Sequence, residues 1–298
     1  MRRRPFLAVA AGLVLLAGLE GSASPAPPAG FLGDYRWDIS DPLFGGWSGL
    51  RLSPDGSRLT ALSDHGAFIQ GRIKRDTKGK IIGITAGAIQ PLKGTSQAPL
   101  AAGRTDSEGL EIAPDGTAYI SFEGVARVLK YRKLGGIAEN LPSHPDFATM
   151  QINSSLEALA MDASGALYTL PERSGRLDRP FPVYRFRAGK WDKTLSIRRD
   201  DSYLPVDADF GPDGKFYLLE RQFRGLSGFS TRLRRFDLTA KGFVNETLLL
   251  QTPVGLYDNL EGLSIWRNAS GDLTATMISD DNFAFFLKTE IVEYRLPD

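Results

Sequence analysis

The chain has 298 residues and no cysteine, which excludes disulfides, thiol nucleophiles and thiolate-held metals. Its 36 Lys+Arg nearly balance 35 Asp+Glu and no basic block stands out, so nucleic acid is not an expected partner. Gly (32) and Pro (18) punctuate the chain at short intervals, which favours short strands and turns over long helices.

Residues 1–23 have the pattern of a signal peptide. Arg2 to Arg4 form a basic start, and Phe6 to Leu19 form an apolar run short of the roughly 20 residues a spanning helix needs. Gly21 and Ala23 then supply a small-residue cleavage site. RRPFL at Arg3–Leu7 resembles the twin-arginine export motif, with Arg2 and Ala8 departing from its usual flanks; an ordinary Sec signal is the alternative. The mature chain is thus expected to be exported, periplasmic or secreted, without a stable membrane span after cleavage. Residues 24–32 read as an extended linker, and 33–298 as one domain.

Five segments of that domain share one grammar: a small or acidic start, an apolar strand, a glycine turn, a second strand and a polar or acidic end. They begin at Gly45 (GGWSGLRLSPDGSRLTALSDHG), Asp106 (DSEGLEIAPDGTAYISFEG), Ser154 (SSLEALAMDASGALYTLPER), Pro205 (PVDADFGPDGKFYLLER) and Asp258 (DNLEGLSIWRNASGDLTATMISDDN). Strand-like runs between them, such as AFIQGRI, RVLKYRKL and TRLRRFDL, bring each repeat to about four strands. The last repeat has little chain left, and GDYRWDIS (Gly33–Ser40) can complete its sheet. The prediction is an all-β fold: a β-propeller with five clear repeats, five or six four-stranded blades, and a ring closed by the N- and C-terminal strands. The stretch between Gly66 and Gly103 is the candidate sixth blade.

Counting outward from each turn places acidic residues opposite one another: Glu108 with Glu123, Glu157 with Glu172, Asp207 with Glu220 and Glu261 with Asp280. In the first repeat Asp64 mirrors Trp47. Corresponding positions of a propeller sit at one height around the axis, so these carboxylates should ring one mouth of the central channel. Such crowding calls for compensation by arginine or by a hard divalent cation such as calcium, which takes 6–8 oxygen ligands. Asp64, Glu108, Glu157, Asp207, Glu261 and Asp280 are the expected ligands, and Arg173 and Arg221 the nearby cations. A structural alternative is that each glutamate caps backbone N–H groups of the next blade.

The same motifs, in this order, resemble those of the phytase-like, "esterase-like activity of phytase" family of exported bacterial propellers, over roughly Phe44 to Leu296. Trp47-Ser48, and Ala158 in place of the glycine of EGL, depart from the family pattern. The resemblance implies hydrolysis of a phosphate or carboxylic ester. The residue reading then gives Glu108 and Glu157 as ligands or bases, His65 as base or proton shuttle, and Arg173 and Arg221 as the grip on a small anionic or ester substrate. The expected protein is a monomer. The competing reading is a non-catalytic periplasmic propeller that binds a ligand or protein partner, with a structural carboxylate ring.

Overall fold

A computed structural model describes residues 25–297, so the expected signal peptide lies outside the described residues. The chain enters on β1 (Phe31–Arg36). The first blade is β2 (Trp47–Leu52), β3 (Arg58–Ser63), β4 (Ala67–Arg75) and β5 (Ile81–Ala86), with the short β6 (Gln90–Pro91) beside β4. The second is β7 (Ser107–Ile112), β8 (Ala118–Phe122), β9 (Arg127–Tyr131) and β10 (Ala138–Asn140). The third is β11 (Leu156–Met161), β12 (Leu167–Pro171), β13 (Phe181–Arg187) and β14 (Lys190–Ile197). The fourth is β15 (Leu204–Phe210), β16 (Phe216–Phe223), β17 (Phe229–Thr239) and β18 (Gly242–Gln251). The fifth is β19 (Asn259–Arg267), β20 (Leu273–Asp280) and β21 (Glu290–Arg295), completed by β1 against β21.

The fold is therefore a five-bladed β-propeller closed by its terminal strands. The residues between Gly66 and Gly103 do not build a sixth blade; they supply the outer strands of the first. Among the described residues no helix is long and apolar enough to cross a membrane.

Burial explains this arrangement. The inner strands β2, β7, β11, β15 and β19 are buried almost throughout, as strands sandwiched between neighbouring blades must be. Outer strands such as β4, β14 and β18 expose much of their length. Five apolar clusters fill the five blade–blade interfaces; Phe216, Leu218 and Ala208, for example, meet Tyr168, Leu170 and Phe181. The blades approach closely at the glycine of the EGL motifs: a Cβ on Gly109 would lie 2.5 Å from the Glu157 carbonyl. Buried hydroxyls stitch adjacent blades, Ser48 donating to the Ser107 carbonyl and Ser121 to that of Glu157.

Each inner hairpin carries the same irregularity. A register shift interrupts the inner strand at Ser48, at Glu108–Gly109, at Glu157–Ala158, at Val206 and at Glu261. Such a bulge sets two residues against one and re-aims the side chains beside it. This corrects the mirrored pairing expected from the sequence. The turns after the first centre on one residue, as in the pairing of Ile112 with Ala118 around Asp115, which moves the register by one. The bulge moves it by one more. Glu123 consequently bonds back to Asp106 rather than to Glu108, Glu172 to Ser155, and Asp280 pairs with Asn259. In the first blade Trp47 pairs with Ser63 and Asp64 with Gly46.

Candidate functional site

Aligned on the bulges, the five blades present two positions to the channel mouth. The bulge itself carries Ser48, Glu108, Glu157, Val206 and Glu261. The end of the second strand carries Asp64, Glu123, Glu172, Arg221 and Asp280. Seven carboxylates thus crowd one mouth, with Arg221 standing in the fourth blade where every other blade has an acid.

Two predicted members do not belong to this ring. Asp207 follows the bulge, at the position that Gly109 and Gly262 hold in other blades, and is fully buried. Its carboxylate accepts from the backbone N–H of Leu263 at 2.8 Å and from Arg51 Nη1 at 3.1 Å, so it latches the fourth blade to the fifth and is not available as a mouth ligand. Glu220 occupies the position of Phe122 and is held in the core by Arg232 (2.6 Å) and Arg234 (2.7 Å).

At the mouth the acids are poorly compensated. Burial, then Glu261 and Glu123, lift Glu108 well above the ordinary carboxylate range. Burial, then Glu108 and Glu123, does the same to Glu157. Burial pushes Glu123 up to about 7, Asp280 up to about 8 and Asp64 up to about 6, with acidic neighbours adding to each and His65 opposing the shift at Asp64. Glu261 is raised by burial against the pull of Arg221. Ligand oxygens of Asp106, Glu108 and Glu123 lie within 4.8 Å of one another. Asn259 donates to Glu261 at 2.7 Å, and its own Oδ1 is buried with no partner. An oxygen-only set with an orphaned acceptor beside it is the donor chemistry a hard cation requires.

Arg221 is the cation of the mouth. Its Nη2 donates to Glu172 at 3.4 Å, and its Nε sits 3.0 Å from Glu261 without an aligned hydrogen bond. Arg173 also meets Glu172, at 3.2 Å, but is half-exposed at the rim. His65 lies at the rim too: 65% of its side chain is exposed, Nε2 is 3.9 Å from Asp64, and its ring stacks on Phe283 at 4.3 Å. Trp47, by contrast, packs against Trp37 in the core, fully buried.

The blade-capping alternative holds for particular acids. Glu123 accepts from Ser155 N–H of the next blade, Glu111 from Met161 and Asp209 from Ile265. Among the described residues no next-blade N–H reaches Glu108, Glu157 or Glu261.

Sequence reasoning missed two residues. Asp106 joins the mouth cluster; the signal is its place two residues before a bulge, legible only once the repeats are aligned on the bulge. Arg51 lies deeper in the channel, donating to the carbonyls of Leu50 and Leu263 through Nη1 and of Leu159 and Ala208 through Nη2. Four blades thus converge on one guanidinium.

Solved structures with a similar fold include a gluconolactonase from Xanthomonas campestris (TM-score 0.44, 12% identity, 80% of this chain and 69% of that one). A luciferin-regenerating enzyme (TM-score 0.45, 12% identity, 86% and 76%) is another. The calcium-binding protein regucalcin from Agrobacterium tumefaciens (TM-score 0.48, 12% identity, 89% and 95%) is a third. No curated protein sequence matches the chain. A family model described as phytase-like, "esterase-like activity of phytase", matches residues 42–283, which span all five inner hairpins. The chain belongs to that family.

Proposed function

We propose that the acidic mouth is a calcium-dependent site for hydrolysis of a small phosphate or carboxylic ester. The observation that carries this reading is the buried pair Glu108 and Glu157, which among the described residues no backbone N–H or arginine hydrogen bond meets, in a mouth that also holds the orphaned Asn259 Oδ1. Asp64, Asp106, Glu108 and Glu123 would hold the ion, with Glu261, Asp280 and Asn259 completing its surroundings. When bound, calcium supplies positive charge that offsets the negative charge developing on an ester oxygen. Family membership supports an ester as the substrate.

The chain's own groups then have distinct work. Arg221, fixed between Glu172 and Glu261, orients an anionic or carbonyl oxygen of the substrate. Glu157, whose affinity for protons is raised by burial and by Glu108, takes a proton from the attacking water. His65, exposed at the rim beside Asp64, passes protons between the site and solvent. The signal-like start supports an exported setting, where calcium is plentiful.

Calorimetric titration of metal-stripped protein with calcium, followed by assays on p-nitrophenyl phosphate, p-nitrophenyl acyl esters and lactones, tests the reading. Uptake of calcium and calcium-dependent turnover of one class are expected. A folded protein that takes up no calcium and turns over none of them would instead be a non-catalytic propeller with a structural carboxylate ring.

A further inference from the structure

The opposite end of the channel, where the hairpin turns lie, opens into a cavity of about 1110 Å³. Its floor is Arg51 with Glu111 and Asp209. Arg51 is committed there: burial works against its charge, and Asp207, Glu111 and Asp209 more than offset this. The walls carry Arg58, Arg72 and Arg267. Arg58 on β3 and Arg72 on β4 are direct cross-strand partners, two like charges opposite each other, which is an unfavourable pairing. Among the described residues neither is ion-paired with a carboxylate. The cavity therefore holds four arginines against two acids, and the two acids already face Arg51.

The rest of the lining mixes the polar Ser53, Thr60, Gln70, Thr85 and Ser264 with an apolar side. Pro54, Pro114 and Pro212 come from the turns of three blades, and Phe210 and Ile112 flank them half-buried. The cavity is slightly larger than the roughly 300–1,000 Å³ of common small-molecule sites. We propose that it is a second ligand site, for a small organic anion with one phosphate or carboxylate head and an apolar body. The head sits between the Arg58 and Arg72 guanidiniums, whose planar forks suit bidentate contact with such oxygens. The body lies against Phe210 and the turn prolines. Nothing in this site depends on the chemistry of the acidic mouth, and the two lie on opposite sides of the Arg51 guanidinium.

Calorimetry with phenylphosphonate and with decanoate tests the proposal, because neither carries an ester that the mouth could consume. One equivalent of at least one probe should bind, and the preferred probe distinguishes a phosphate-type from a carboxylate-type head. Affinity should fall about tenfold or more in Arg58→Gln/Arg72→Gln, the loss expected for charge-assisted hydrogen bonds. It should also weaken with salt. Should the double variant fail to fold, the single variants Arg58→Gln and Arg72→Gln should each weaken binding. Binding should persist in Arg221→Gln, which removes the mouth's own anion-binding group. Failure of both probes to bind, unchanged affinity in the Arg58 and Arg72 variants, or loss of binding in Arg221→Gln would overturn it.

Discussion

Arg221 Nε lies 3.0 Å from Glu261 Oε1, joining the second strand of the fourth blade to the bulge of the fifth. The same guanidinium reaches Glu172 of the third blade, so one side chain bridges three blades at the mouth. Burial works against its charge, and Glu261 and Glu172 more than offset this, raising its pKa. Replacing it with glutamine leaves both carboxylates facing each other without a cation. Arg221→Gln should lose about 1–3 kcal/mol of stability in the metal-free protein, the cost of removing a partner from buried charged groups. In turnover the variant should show a raised KM with a smaller change in kcat, as expected where a group mainly holds substrate. Urea denaturation and steady-state kinetics check the two halves separately.

The raised carboxyl groups predict an unusual pH dependence. A carboxyl with a folded pKa above its unfolded value binds more protons when folded. Its favourable contribution is complete below the unfolded pKa, near 4, and is lost as pH rises through the folded pKa. Asp64 at about 6, Glu123 at about 7 and Asp280 at about 8 set that window. Metal-free protein should therefore melt lower at pH 8 than at pH 5, by several degrees or more. Saturating calcium should remove most of the difference, because a bound cation favours the ionised forms. Thermal melts with chelator and with calcium at both pH values decide this; a metal-free protein that is more stable at pH 8 would contradict it.

How much of this was legible in the sequence depends on the level. Five repeats with glycine turns specified five blades, because each repeat is one self-contained strand unit; the turn glycines Gly56, Gly116, Gly165, Gly214 and Gly271 all adopt positive φ. The acidic mouth was legible too, since Glu108, Glu157 and Glu261 recur in one motif. Register was not. A bulge leaves no residue signature strong enough to be seen in one hairpin, yet a shift of one residue turns a side chain to the other face. Asp207 and Glu220 were misplaced for that reason: they sit one residue off the ring positions that Val206 and Arg221 hold. Arg51 was missed because its partners are mostly carbonyls, which any sequence provides.

Glu220 offers a clean contrast with the mouth acids. It is fully buried and meets Arg232 and Arg234, which in turn reach Asp200 and Glu246. Glu220→Gln leaves two buried guanidiniums short of their shared counter-charge, which should cost about 3–5 kcal/mol. Calcium affinity should not change, since Glu220 faces the blade interior. Glu108→Gln should do the reverse, lowering calcium affinity while stabilising the metal-free protein at pH 8. Chemical denaturation paired with calcium titration of both variants separates a structural acid from a binding one.

Arg51 predicts a coupled effect along the channel. Its guanidinium bonds four carbonyls and faces Asp207 and Glu111, both pushed up to about 7 by burial even with Arg51 beside them. Arg51→Met removes the one arginine that, among the described residues, pairs with either acid, and leaves their charges in a dry interior. The variant should lose about 3–5 kcal/mol at neutral pH. Because protonation relieves the unpaired acids, part of that loss should return at pH 5. Adding Asp207→Asn to Arg51→Met should likewise recover stability, so the two substitutions should cost less together than their separate effects sum to. A double-mutant cycle by urea denaturation at pH 5 and pH 8 measures this coupling; additive losses at both pH values would show that the carbonyl contacts, and not the acids, are what Arg51 serves.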